Sequence, residues 1–362
     1  MTSSTKSYVQ GFDGLRGIAI LLVLLHHIEL FHKWRVGPEI FFVLSGYLTT
    51  RSLQGPEGIA IAERLATFYR RRVLRLTPPL LALLAVVIPV MALMPDIDED
   101  VLRDVLAAAN YSMNWQQALT LWESHDLAHL WTLAAEQQFY LIWPPIFLLC
   151  PRGWIKPLLV AVAGAAVACR FCLYAEGASF NRIYFGLDTH ADGLVVGCLL
   201  ALTTVPSRLV PVLRHAGLVS LAVMTIAALV LPEETVGALC ASITLTTVLA
   251  ALTLTATRLG GGLLERVLEL PPLQAVGRMS YSIYLWNFPV IALCHPHLHH
   301  GLKALQLAVL GTVSTVNYAL IEKPLARYLR VRRPAAAERP AGIPAREPSR
   351  AWSPVASASQ GV

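Results

Sequence analysis

Leu15-Arg16-Gly17-Ile18-Ala19-Ile20-Leu21-Leu22-Val23-Leu24-Leu25-His26-His27-Ile28-Glu29-Leu30-Phe31 carries, near the start of the chain, an apolar run of bilayer-spanning length interrupted by ionisable residues that a bilayer resists. A span needs about 20 mostly apolar residues, and residues 14–31 supply them. No small-x-small cleavage site follows, and nine further apolar runs do, so the run reads as a retained helix rather than a signal peptide. Those runs lie near 36–54, 77–95, 129–150, 154–174, 187–205, 216–232, 234–256, 278–296 and 301–321. The expected fold is therefore an all-α, polytopic membrane helix bundle of about ten transmembrane helices.

Composition agrees. Hydrophobic residues make up 55% of the 362, charged residues 14%, and the mean hydropathy is +0.56. Soluble domains carry about 25% charged residues, so this chain lacks the polar surface that water demands. The net charge of +6 sits in short clusters between apolar runs, as in membrane proteins. No basic face interleaved with aromatics suggests nucleic acid. The six cysteines lie in or beside apolar runs, where thiols act as small hydrophobes. Cys169-Arg-Phe-Cys172 reads CxxC, but it closes a predicted helix instead of opening one, the end that favours a thiolate.

Lys and Arg set the orientation. With both termini cytoplasmic, 22 of the 29 basic residues fall inside and 6 outside (Lys33, Arg35, Arg103, Arg170, Arg182 and Lys303), with Arg16 within the first span. An odd number of spans would scramble that sorting. The long outer segment 96–128 is acidic. Residues 1–330 are expected to form the membrane domain, and 331–362 a disordered, basic, Pro/Ala-rich cytoplasmic tail.

Ionisable residues in the membrane each ask for a reason, since one costs on the order of 2.5–3.5 kcal/mol at mid-bilayer. Arg16 and His27 are 11 residues apart, which turns a helix by about 1100°, close to three full turns. They share a face, roughly 16 Å apart along the axis. A cation at the cytosolic end and an imidazole beyond it suit an anionic donor and proton transfer at its far end. The competing reading is a snorkelling Arg16 and a His27 that only bonds a neighbouring helix. His26 is expected to point about 100° away, as a structural residue. Arg72 and Arg75, at i and i+3, share a face and could grip phosphates, although a positive-inside cluster explains them as well.

Glu136 and Tyr140 share a face at i and i+4, and a buried Glu136 needs a partner, for which His27 or an arginine is available. Asp188 and Asp192, with His190 between, are also at i and i+4, a weak metal set. His295-Pro-His297-Leu-His299-His300 reads as a solvated turn more readily than as a metal tract. No metal site is expected, and no P-loop, GxSxG or HExxH is present.

Taken in order, these segments resemble the acyltransferase-3 family of integral membrane acyltransferases, which includes O-antigen and exopolysaccharide O-acetylases and macrolide acyltransferases. The resemblance spans about residues 10–330. Arg16 and His27 match the family's Arg/Lys, ten residues, His opening. Phe41-Phe42-Val43-Leu44-Ser45-Gly46-Tyr47-Leu48 matches FFVLSGFL, and Arg72-Val-Leu-Arg75-Leu-Thr-Pro78 matches RxxR-I-x-P. Trp131-Thr-Leu-Ala-Ala-Glu136-Gln-Gln-Phe-Tyr140-Leu-Ile-Trp-Pro144 matches WSLSVEEQFYLIWP. Ser280-Tyr281-Ser282-Ile-Tyr284-Leu285-Trp286 and Ile321-Glu322-Lys323-Pro324 are also typical. Departures are Gln137 for the second Glu, Asn287 where His is frequent, His190 near a common Arg, and a short first outer loop around Phe31–Pro38.

The resemblance implies a multi-pass protein of a bacterial cytoplasmic membrane that moves an acetyl or other short acyl group from cytoplasmic acyl-CoA, acetyl-CoA above all. The acceptor would be a hydroxyl of a carbohydrate or glycosylated natural product. His27 would be the general base, with Glu136 orienting its ring or stabilising the imidazolium. Arg16, Arg72 and Arg75 would bind the donor. With no fused extracytoplasmic domain in view, the acceptor is expected to reach the membrane core. The alternative is a proton-coupled secondary transporter using His27, Glu136 and Asp192 as a relay; it would call for broken helices at the midplane and inverted repeats.

Overall fold

In a computed structural model of the chain, described for residues 9–27, 35–55, 58–93, 99–122, 127–231, 235–294 and 303–331, every described regular element is helical. The protein is an all-α membrane bundle. In order the helices are α1 (Gly11–His27), α2 (Gly37–Leu53), α3 (Ile61–Ala92), α4 (Glu99–Ala109), α5 (Met113–Ala118), α6 (Trp131–Leu149) and α7 (Arg152–Ala175). Three short helices follow: α8 (Phe180–Phe185), α9 (Leu187–His190) and α10 (Asp192–Ala201). The chain then forms α11 (Val210–Val230), α12 (Val236–Leu259), α13 (Gly262–Leu268), α14 (Pro271–Arg278), α15 (Ser280–Cys294), α16 (Lys303–Asn317) and α17 (Lys323–Val331). A π-helical stretch, Tyr318–Glu322, joins the last two.

Among the described residues, five helices are each long and apolar enough to cross a membrane: Ile61–Val90, Arg152–Ala175, Ser207–Val230, Val236–Leu259 and Lys303–Leu329. The others are shorter or more polar. α1 and α2 have 17 residues each, or about 26 Å of helix, near the roughly 30 Å of the hydrocarbon core. α3 has 32 residues and is about 48 Å long. Its first turns, bearing Arg64, Arg70, Arg71, Arg72 and Arg75, therefore extend beyond its apolar stretch.

Two predicted features change. The run at 187–205 is not one helix: α9 and α10 part at Ala191, and α10 ends at Ala201. Gly186 adopts an extended conformation (φ −65°, ψ 128°) between α8 and α9, and side chains serve the carbonyls that the break releases. Thr189 Oγ1 donates to Ile183 O (2.8 Å) and Gly186 O (2.9 Å), while His190 Nδ1 bonds Tyr184 O at 2.8 Å. Non-helical backbone is tolerated at such depth when protein groups satisfy it. The acidic segment also holds structure: α4 and α5 lie within it, and buried Asp104 accepts from Trp122 Nε1 at 2.8 Å. Gln138 of α6 ties α5 down, accepting from Trp115 Nε1 (3.1 Å) and donating to Tyr111 O (2.8 Å).

Small residues let the helices that frame the centre approach closely, as is usual where water supplies no driving force between helices. A Cβ on Gly46 of α2 would lie 1.9 Å from the Leu194 carbonyl of α10, and one on Gly197 of α10 would lie 2.1 Å from the Val43 carbonyl of α2. The first helix docks in the same way, with Gly14 facing Leu268 O. One core cluster gathers around α3, α6 and α15 (Leu80, Leu83, Leu133, Leu285) and a second around α1, α2 and α12 (Leu15, Ile40, Leu254). The Pro334 tail and the His295–His300 tract lie outside the described residues.

Candidate active site

Between α1, α2, α3, α6 and α15 lies a cavity of about 350 Å³. All five residues singled out from the sequence, Arg16, His27, Arg72, Arg75 and Glu136, line it. α1 supplies Arg16 and His27, as their spacing requires. α3 supplies Arg72 and Arg75 on one face. Arg75 is exposed at the surface, while Arg16 and Arg72 are half-buried.

Arg72 is held from two sides. Its Nη2 donates to Thr49 Oγ1 at 2.9 Å, and its guanidinium lies 4.2 Å from the ring centroid of Tyr140 and 5.3 Å from that of Phe68. Cation–π contacts of this kind fix a cation's position without neutralising it.

Glu136 makes different contacts from those expected. Its Oε1 accepts from Ser45 Oγ, and Tyr140 OH donates to Ser45 Oγ (3.1 Å) and approaches Glu136 Oε2 at 3.4 Å. The i, i+4 placement of Glu136 and Tyr140 holds, and Ser45 of α2 closes a three-residue cluster. Glu136 is not hydrogen-bonded to His27, so orienting that ring falls to another side chain. Asn287 Oδ1 lies 2.5 Å from His27 Nδ1, and Asn287 Nδ2 donates to Tyr284 O at 2.6 Å. Sequence reasoning treated Asn287 as a departure from the family pattern; the structure puts it against the imidazole.

The domain described as an acyltransferase domain, the acyltransferase-3 family model, matches residues 9–321. The chain belongs to this family. It is similar to the peptidoglycan O-acetyltransferase OatA of Listeria monocytogenes, 30% identical over 355 residues that cover 90% of this chain and 57% of that protein. The YrhL protein of Bacillus subtilis is 31% identical over 350 residues, with 88% and 55% covered. The O-acetyltransferase OatA of Staphylococcus aureus is 27% identical over 347 residues, with 88% and 57% covered. The chain thus spans somewhat over half the length of these relatives. No solved structure matches it.

Other residues of this acyltransferase-3 chain depart from their expected places. His26 lines the cavity with His27, because the cavity wraps around the end of α1 more widely than one helix face. Asp192 does not line it. It pairs with Arg170 at 2.6 Å, both side chains buried, so Arg170 is not the outer-loop charge that the sequence count made it. Asp188 pairs with Arg182 at 2.5 Å. His190 Nε2 meets the buried Glu39 Oε1 at 3.0 Å, which explains how Glu39 sits within an apolar helix. Glu322 accepts from Ser282 Oγ, which in turn accepts from Asn317 Nδ2 at 2.8 Å.

Several lining residues were not anticipated. His129 is buried, with Nε2 3.2 Å from Leu285 O. Tyr284 accepts from Thr132 Oγ1 (2.9 Å) and donates to His129 O (2.6 Å). Arg35 lies 4.9 Å from the Phe180 centroid and 5.4 Å from that of Tyr184.

Proposed function

We propose that the protein is a membrane O-acyltransferase that moves an acetyl or other short acyl group from acyl-CoA to a carbohydrate hydroxyl, with His27 as general base. The observation that carries this reading is the convergence of His27, Arg16, Arg72 and Arg75 on one cavity. Three guanidiniums offer charge-assisted bonds to the donor's phosphates. A hydroxyl attacking a thioester must lose its proton as the new bond forms, and an imidazole is the suitable acceptor near neutral pH. The relatives named for peptidoglycan O-acetylation support a sugar hydroxyl as acceptor. The charge sorting supports a donor arriving from the cytoplasm, at the arginine end.

The residues fit these roles in sequence. As the acceptor oxygen bonds to the acyl carbon, its proton passes to His27; as the C–S bond breaks, the same proton passes to the thiolate. Glu136, neighboured by Ser45, Tyr140 and Arg72, shapes the acyl end and is not the partner of His27. The proton-relay reading loses its third member, because Asp192 is engaged with Arg170 away from the cavity.

The test is release of free CoA from acetyl-CoA by purified protein in detergent, with and without peptidoglycan fragments. General-base catalysis contributes about 10²–10⁴-fold, so His27→Ala and His27→Gln should both lose at least about a hundredfold while inserting normally. A loss below about tenfold would return His27 to a structural role.

A further inference from the structure

We propose that Asn287 is the positioning residue of this active site, holding the Nδ1–H of His27 so that Nε2 is the nitrogen that takes the proton. The inference rests on His27 being the base.

The amide's orientation settles the tautomer. Asn287 is fully buried, and its Nδ2 is committed to Tyr284 O, one turn earlier on α15, at 2.6 Å. The atom facing the imidazole is therefore Oδ1, which can only accept. At 2.5 Å from it, Nδ1 must carry a hydrogen. In a neutral imidazole the second nitrogen then bears the lone pair. A ring free to exchange tautomers would present Nε2–H to the substrate part of the time and could not accept a proton in that state. The same amide bridges α1 and α15, so the ring's angle is fixed along with its tautomer. The edge of the His27 ring also meets Phe288, at a centroid distance of 5.3 Å, which limits rotation on the other side.

An amide does this without a second buried charge. A carboxylate at the same place would stabilise the imidazolium but would also have to be desolvated. Several charged or titratable groups surround the dyad: His26 on α1, Arg35 ahead of α2, His129 ahead of α6, Glu136 on α6 and Tyr284 on α15. Asn287 adds no further titration to that set. Throughout transfer the proton from the acceptor hydroxyl goes to Nε2 and on to the thiolate sulfur, while the Nδ1 hydrogen stays on His27, donated to Asn287 Oδ1.

The experiment compares wild type, Asn287→Ala, Asn287→Asp and His27→Ala as full-length protein in detergent. It reads kcat and KM for acetyl-CoA between pH 5.5 and 9, with thermal melts as a check on folding. Asn287→Ala should lower kcat by roughly ten- to a hundredfold, less than the roughly 10²–10⁴-fold of losing the base itself, and leave KM unchanged. Asn287→Asp, nearly isosteric, should move the acidic limb of the kcat profile upward by about one to three pH units, since a nearby carboxylate favours the imidazolium. A structural role alone would not move that limb. Wild-type kcat in Asn287→Ala, or an unmoved limb in Asn287→Asp, overturns the proposal, as does failure of both variants to fold. If His27→Ala is inactive while the Asn287 variants behave as wild type, only the positioning role falls. If His27→Ala is active, the base assignment falls first.

Discussion

Arg72 stacks 4.2 Å from the ring centroid of Tyr140, while Tyr140 OH donates to the Ser45 hydroxyl that is bonded to Glu136. The candidate donor-binding cation is thus mechanically joined to the carboxylate cluster at the acyl end. Among the described residues, only one of its five N–H groups donates to protein, to Thr49, which leaves a planar fork for a phosphate. Arg72→Ala should raise KM for acetyl-CoA by about ten- to a hundredfold, the value of a charge-assisted hydrogen bond of about 1.5–3 kcal/mol. Arg72→Lys should recover only part, because an ammonium lacks the bidentate fork. Arg75→Ala should cost less, since its exposed charge is screened. Unchanged KM in the double alanine variant would remove both from the donor site.

The α2–α10 contact makes a different kind of prediction. Gly46 and Gly197 face carbonyl oxygens of the opposite helix with no room for a methyl group. Gly46→Ala or Gly197→Ala must push the helices apart, and overpacking costs about 1–3 kcal/mol. Ser45 lies beside Gly46, so the shift would also disturb the bond to Glu136. Both variants should melt lower and lose kcat. A wild-type melting temperature in either would mean that the helices yield freely at this contact.

Much of the site was legible because its marks lie along single helices. The Arg16–His27 spacing, the Arg72–Arg75 pair and the Glu136–Tyr140 pair each need only the helix period. What periodicity does not contain is which helix stands opposite. Glu136 was given His27 or an arginine as its available partner, yet neutral side chains make the hydrogen bonds, Ser45 to Glu136 and Asn287 to His27. The break at Gly186 had its signs in Asp188, His190 and Asp192, but whether they interrupt a span or only line it depends on partners such as Glu39 and Arg170. Glu39 lies 151 residues from His190 and Arg170 lies 22 residues from Asp192, both beyond the reach of one helix's period.

The charges predict an orientation with both termini cytoplasmic, and the structure changes the place of one of them. Arg170, counted among the outer cations, is buried against Asp192, so the asymmetry of the loops exceeds the sequence count. In a background with the native cysteines replaced, Asp100→Cys should react with an impermeant maleimide on intact cells. Ser207→Cys should react only after permeabilisation. The opposite pattern would invert the topology and place the arginine end of the cavity outside.

Arg170 and Asp192 form an ion pair buried on both sides, at 0% and 3% side-chain exposure. It joins α7 to the first residue of α10. Arg170 Nε and Nη1 and Asp192 Oδ1 have no hydrogen-bond partner among the described residues, so the pair is not fully satisfied there. Removing one member of such a pair strands a buried charge and typically costs about 3–5 kcal/mol, whereas replacing both by apolar residues is often neutral or better. Asp192→Asn and Arg170→Met should therefore each lower the melting temperature, and Arg170→Met combined with Asp192→Leu should restore most of it. The double variant also separates the two functional readings. A proton relay through Asp192 cannot survive loss of its carboxylate, while an acyltransferase built on His27 needs only that α10 stay in place. CoA release near the wild-type rate in the double variant is the expected result. A folded double variant without activity would place Asp192 in the chemistry and reopen the relay.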